Sequence, residues 1–195
     1  MRSLLPCFFI MSLTTFTQPA ALPDSDPHAE DRKALLRIFS EVEASINEQS
    51  LERMVKQMDP AGTVVWANGE VSRGAAEVLA YYDRMVKGSG RILTKYTTKA
   101  ALHGHARFLG NDVAVADGTM EDEFTPVIRG PFSLSGKWTT TIARINGEWK
   151  VIHLHLSANV FNNVLLDEAK SALLYTGGGA LLAGVLAGWF LGRRK

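Results

Sequence analysis

The chain has 195 residues, 46% of them apolar and 21% charged, with 21 Lys plus Arg against 20 Asp plus Glu. A balanced chain with no basic stripe lacks the electrostatic footprint of a nucleic-acid binder. A lone cysteine, Cys7, cannot build a disulfide framework, and the length suits one domain of ~100–150 residues with extensions at its ends.

Residues 4–13, L-L-P-C-F-F-I-M-S-L, form an apolar block behind Arg2 and lead to the small residues Ala20 and Ala21. That layout predicts a secretory signal peptide over residues 1–21, with a lipoprotein reading of Leu-Pro-Cys as the alternative. Cleavage would remove Cys7 and with it any thiol chemistry. Pro19, Pro23 and Pro27 make residues 22–27 a short extended linker.

Asp26-Pro27 reads as an N-cap and first helical position. Leu35, Ile38, Phe39, Val42 and Ile46 then recur at i, i+3, i+4, i+7 and i+11, the apolar stripe of a helix from about Pro27 to Glu48. Arg32, Lys33, Arg37, Glu41 and Glu43 fall on its wet side. A short helix from Leu51 to Met58 ends at Asp59-Pro60. Thr63 to Ala67 reads as a strand, Asn68-Gly69 as a hairpin turn and Glu70 to Ser72 as the return. Gly74 opens a third helix with Ala75, Val78, Leu79, Tyr82 and Val86 inward, ending at Gly88.

Four β-rich runs follow: Ile92–His105, Val113–Phe124, Leu134–Ile145 and Trp149–Val160. Helices first and then a meander of strands predict an α+β fold with an antiparallel sheet wrapped over the helices. After a juxtamembrane segment, residues 161–170, no charge occurs for 22 positions from Ser171 to Gly192. At ~1.5 Å per residue this run exceeds the ~30 Å hydrocarbon core, so 171–192 reads as a transmembrane helix rather than a buried core helix. Ala180, Gly184 and Gly188 give it a small-xxx-small face. The basic tail, residues 193–195, predicts a cytoplasmic end and a folded domain on the periplasmic or extracellular side; a processed sorting tail is the alternative. Without the signal peptide and tail, 17 basic residues face 20 acidic ones, a net charge of about −3.

Two blocks carry a family resemblance. Met58 to Met85, M-D-P-A-G-T-V-V-W-A-N-G-E-V-S-R-G-A-A-E-V-L-A-Y-Y-D-R-M, joins a hairpin to a Gly-led helix. Asn146 to Ser157, N-G-E-W-K-V-I-H-L-H-L-S, is similar in its G-x-W-x-x-x-H-x-H to the last strand of the calcium/calmodulin-dependent kinase II association domain. Together they resemble the NTF2-like (cystatin-like) superfamily, in its SnoaL-like and DUF4440 branch, over residues 28–160. The resemblance implies a cone with three N-terminal helices packed in a curved sheet, a pocket at its mouth, and assembly as a homodimer or higher homo-oligomer. Thr140 and Leu156 stand where the kinase domain has arginines, so an anionic ligand is not expected.

Within that fold Trp138, Thr140 and Ile142 share a face expected to form the inner wall, and Trp66, Tyr82, Trp138, Thr140, Leu154 and Leu156 are the expected ligand pocket. Trp149, Val151, His153 and His155, opposite the apolar Ile152, Leu154 and Leu156, are the expected interface. Asp117, Glu121, Asp122, Glu123, Tyr81 and Tyr82 are the available acids and phenols, but none matches a catalytic position, and residues 121–123 read as a solvated strand end. His103 with His105, and His153 with His155, could each present two imidazoles to zinc. A third ligand cannot be placed, so no metal and no cofactor is expected. Two functions remain open: a binding or assembly module for a small apolar molecule, or an isomerase, cyclase or hydrolase on a lipid-like substrate, using Tyr82 and an acidic residue. A carboxylate buried beside Tyr82 would separate them.

Overall fold

The computed structural model describes residues 26–161 and 163–193. The expected signal peptide, residues 1–21, lies outside these, as do most of the linker and the last two residues of the tail.

Helix α1 spans Ala29–Asn47 and buries Leu35, Ile38 and Ile46, the predicted stripe. It starts after Pro27 because Asp26 is engaged in a preceding turn. One carboxylate oxygen of Asp26 accepts the His28 N–H at 3.1 Å and the other accepts Arg32 Nε at 2.7 Å. Helix α2, Leu51–Lys56, buries Leu51 and Met54. Strand β1, Met58–Val65, begins five residues before the expected strand, running through Pro60. Its register against the closing strand shifts between Met58 and Thr63, which accommodates a proline that cannot donate to the ladder.

Around Asn68-Gly69 the chain returns in β2, Val71–Arg73, and enters α3, Gly74–Tyr82. Gly74 has φ +74°, and a Cβ there would lie 2.7 Å from the Pro60 carbonyl oxygen, so the position demands glycine. The expected third helix does run to residue 87, but its last five residues, Asp83–Lys87, widen into a π turn. The remaining strands are β3 (Leu93–Leu102), β4 (Arg107–Phe108), β5 (Val113–Pro126), β6 (Phe132–Ile145) and β7 (Glu148–Ala158).

Among the described residues the sheet order is β2-β1-β7-β6-β5-β3, with β4 also on β5. Neighbours are antiparallel except β1 and β7, which run parallel. The α+β expectation is met: helices come first and the curved sheet folds over them. Trp138, opposite Gly118, occupies space that any β carbon at 118 would enter, at 2.7 Å from the indole. Met120 opposite Gly136 repeats the device, with 2.6 Å to its methyl. Large side chains thus fold over bare backbone on the inner face.

Helix α4 spans Val164–Gly192, capped by Asn163, whose side-chain oxygen accepts the Leu166 N–H at 3.0 Å. It therefore begins inside the expected juxtamembrane segment and carries Asp167, Glu168 and Lys170 on its first turns. Its 29 residues extend ~43 Å. Val164–Trp189 is long and apolar enough to cross a membrane, and its most apolar window buries none of its surface in the rest of the chain. Helix α4 is therefore not a core helix.

Candidate ligand cavity

Strands that alternate inward and outward residues place Ala114, Ala116, Gly118, Met120 and Asp122 of β5 on the inner face, facing the stripe of α1. Between them lies a cavity of about 130 Å³. Leu35, Phe39, Val42 and Ile46 of α1 line one side. Ala116, Met120, Trp138, Ile142, Leu154 and Leu156 line the other, with Met54 and Met58 at the end nearer α2. The indole of Trp138 lies 5.6 Å from the Phe39 ring and donates through Nε1 to the Thr119 carbonyl at 3.0 Å, so its polar edge is satisfied. Arg32, Glu43, Tyr96, Thr98, His105 and Thr140 supply the polar part of the lining.

The second half of α1 is tied to β3, a strand at the edge of the sheet. Glu43 accepts the Ala100 N–H at 2.8 Å. The Asn47 amide brackets Thr98, donating to its carbonyl at 2.9 Å and accepting its N–H at 2.8 Å. Gln49 donates to the Tyr96 carbonyl at 2.6 Å. Glu43 therefore sits at the cavity wall rather than on the wet side expected for it. Three side chains cap backbone groups that an unprotected edge would offer to another strand.

At the other end of α1, Asp31 accepts Trp149 Nε1 at 2.9 Å and Arg144 at 2.6 Å, with His28 at 3.3 Å. The indole hydrogen bond, with help from Arg144 and His28, holds the Asp31 carboxyl below its ordinary range against the opposing effect of burial. This cluster fixes the start of α1 to β6 and β7.

The expected pocket residues divide. Trp138, Thr140, Leu154 and Leu156 line the cavity, as does Ile142. Trp66 and Tyr82 do not, which corrects the expectation for both. Trp66 is buried with Nε1 donating to the Ser72 hydroxyl at 2.9 Å and its ring stacked on Tyr81 at 4.1 Å. Tyr82 belongs to α3, and α2 stands between that helix and α1. Burial pushes the Tyr82 phenol up to about 12, with Glu52 adding to the shift. Its hydroxyl has no hydrogen-bond partner among the described residues.

The expected interface divides as well. Trp149 and Val151 are buried inside the chain, and Val151 lines the cavity, so neither is available to a partner. Across β6, Ile142 pairs with Val151 and Thr141 pairs with His153, leaving Ile152 as an extra residue. This β-bulge inverts the alternation midway along β7. Trp149 and Val151 point inward before it, and Leu154 and Leu156 after it. His153 and His155 are left on the outer face, ring centroids 6.5 Å apart. The other pair is split: His103 hydrogen-bonds Asp117 at 2.8 Å outside, while His105 is in the cavity lining. Among the described residues no three His, Cys, Asp or Glu side chains group to hold a metal ion.

Residues 121–123 are not a uniformly solvated end. Glu121 and Glu123 are exposed, but Asp122 is buried between them on the inward face. It accepts the Tyr96 hydroxyl at 3.3 Å and a hydrogen bond from Thr98. Burial raises the Asp122 carboxyl above its ordinary value, Thr98 and Tyr96 opposing. Burial and then the charge of Asp122 push the Tyr96 phenol well above its usual range. Asp122 is among the acids the sequence offers, but its place is inward rather than on a solvated strand end, as the parity of Ala116, Met120 and Asp122 signals; Tyr96 is not among the expected site residues.

No family model matches the sequence, and no curated protein matches it. Solved structures do. A hexachlorocyclohexane dehydrochlorinase from Novosphingobium barchaimii superposes with TM-score 0.61 at 14% identity, over 69% of this chain and 90% of that one. An uncharacterised cystatin-like protein from Caulobacter vibrioides gives 0.57 at 17%, over 75% and 99%. A Xanthomonas campestris protein assigned as a calcium/calmodulin-dependent protein kinase II association domain gives 0.53 at 19%, over 74% and 96%. Element order, sheet topology and these superpositions give this chain the cystatin-like, NTF2-like fold.

Proposed function

We propose that the protein is a membrane-anchored module that binds a small apolar molecule in the cavity between α1 and the sheet. The observation that carries this is the cavity itself: about 130 Å³, walled chiefly by aliphatic and aromatic side chains. An apolar void of this order, ~150 Å³, is known to stay dry and take a benzene-sized guest. The charged groups of the lining are engaged, Arg32 by Asp26 and the Ala106 carbonyl and Glu43 by the Ala100 N–H, and Tyr96, Thr98 and Thr140 add few polar handles, which favours a ring-sized, weakly polar ligand over an anion. Export by residues 1–21 and anchoring by α4, with its basic tail inside, would hold the domain at the extracytoplasmic face. Self-association through the outer face around His153 and His155 belongs to the same reading, supported by the fold shared with a protein assigned as an association domain.

The test is titration of the detergent-solubilised full chain with small aromatic and alicyclic probes, read by changes in tryptophan emission that Trp138→Phe removes and by retained mass in native mass spectrometry. Ala116→Leu, which fills the cavity, is expected to weaken probe binding at least ~10-fold, the loss of about 1.4 kcal/mol. Binding unchanged in that variant would exclude the cavity as the site.

A catalytic reading is favoured by one feature, the Asp122 carboxyl shared by Tyr96 and Thr98 beside the cavity. Burial favours the protonated form of this acid, the form that can donate to developing negative charge. It lies by Tyr96, not by Tyr82, so the acid–base pair expected around Tyr82 has no support. Turnover of a bound probe, abolished in Asp122→Asn with binding retained, would select this second reading.

A further inference from the structure

The three most exposed large apolar side chains of the domain, Ile128, Phe161 and Val160, lie on the segments next to the start of α4. In the β5–β6 connection Val127 and Ile128 are 53% and 94% exposed, and after β7 Val160 and Phe161 are 70% and 87% exposed. Ile92, 53% exposed, joins them, its carbonyl accepting the Val127 N–H at 3.0 Å. Scattered single apolar residues on a surface are ordinary, but a cluster around one corner calls for something to cover it.

Depth along α4 says what that is. Arg129, next to Ile128, donates to Glu168 on the second turn of α4 at 2.6 Å and ties the β5–β6 connection to the helix at that level. The charge-free run of α4 begins at Ser171, three residues or ~4.5 Å further along the axis. The headgroup layer adds ~5–7 Å to each side of the ~30 Å hydrocarbon core. With α4 spanning the bilayer, Glu168 falls within that layer. The loop bonded to it stands at the same depth, and Val160 and Phe161 immediately precede the helix. Interfacial elements bury their apolar faces ~5–10 Å into this headgroup–acyl boundary.

We propose that Val127, Ile128, Val160 and Phe161 form a second membrane contact that seats the domain on the bilayer surface beside its anchor. The occupant of the patch is lipid, and the domain is held at a fixed tilt instead of swinging on α4. This rests on the reading of α4 as a membrane span, and the experiment separates the two. In the full chain carrying Cys7→Ser, single cysteines at Ile128→Cys, Leu181→Cys and Lys99→Cys are labelled with an environment-sensitive nitrobenzoxadiazole dye. The proteins are reconstituted into phosphatidylcholine–phosphatidylglycerol vesicles with lipids bearing nitroxides at shallow or deep acyl positions. Lys99, exposed on β3 and ~23 Å along the strand from Ile92, is the solvent reference.

The dye at 128 is expected to emit to the blue of that at 99 and to lose most of its emission to shallow nitroxides. The dye at 181 is expected to be quenched by deep ones. Adding Val127→Asp and Phe161→Asp should return position 128 to the brightness of position 99 while leaving 181 quenched. Quenching at 181 with none at 128 overturns the docking proposal and leaves the anchor standing. Absence of quenching at 181 removes the anchor and the proposal together. A blue shift at 128 that follows the protein-to-lipid ratio without lipid quenching assigns the patch to a second copy and overturns it as well.

Discussion

The hydroxyl of Tyr82 is a buried donor with nothing to receive it among the described residues. A group in that state costs on the order of 1–3 kcal/mol, so Tyr82→Phe is expected to stabilise the domain by about 1 kcal/mol and raise its melting temperature by ~2–4 °C. Thermal unfolding followed by circular dichroism checks it; a lower melting temperature would mean that the hydroxyl does find a partner. Asp122 makes the opposite kind of statement, through pH. Its folded-state pKa is raised, first by burial, so the carboxyl binds its proton more tightly folded than unfolded. The stability tied to it is fully present below the ordinary carboxylate range, near 3.9, and is lost as pH rises through the raised folded value. Asp122→Asn, which can still accept from Tyr96, is therefore expected to unfold later than the natural chain at pH 7 and together with it near pH 3. A gap that widens toward acid would refute the assignment.

Edge protection works through two side chains of α1, Glu43 and Asn47, and through Gln49 just past its end. Asn47 makes two hydrogen bonds to the backbone of Thr98 on edge strand β3, each worth ~1 kcal/mol. Asn47→Ala is expected to cost about 2 kcal/mol, and native-state hydrogen exchange should show the Thr98 amide losing protection while the β6–β7 ladder keeps its own. How far such elements were legible in the sequence depended on their period. The stripe of α1 and the four long strands follow simple periods of 3.6 and 2, and they appear where expected. The pocket faces of Trp138, Thr140, Leu154 and Leu156 were legible for the same reason. The faces of Trp149 and Val151 were not, because one extra residue at Ile152 inverts the alternation, and an isolated strand carries no mark of where its partner will skip. Glu43 and Asn47 look like solvent residues on a helical wheel; only the position of β3 gives them a role.

At the scale of the molecule a folded domain meets a bare apolar helix at Asn163, which caps α4. Deleting residues 164–195 is expected to move the chain from a carbonate-resistant membrane pellet to the soluble fraction with its β-rich circular dichroism intact. A truncated chain that still pellets would place the membrane affinity elsewhere. The parallel pairing of β1 with β7 has a consequence of its own for how this chain is made. Between β1 and β6 there is a slot that only the last strand can fill. Until Trp149–Ala158 has emerged, the sheet is in two pieces, a β1–β2 hairpin and a β3–β6 meander, joined only through the bonds of α1 to β3 and β6. Contacts of such long sequence separation form late and slowly. Helix α4 follows β7 by only a few residues, at Val164. With α4 read as an anchor, the domain would shut at about the moment that helix enters the membrane, and a chain stalled shortly before residue 149 would be the species most exposed to misassembly.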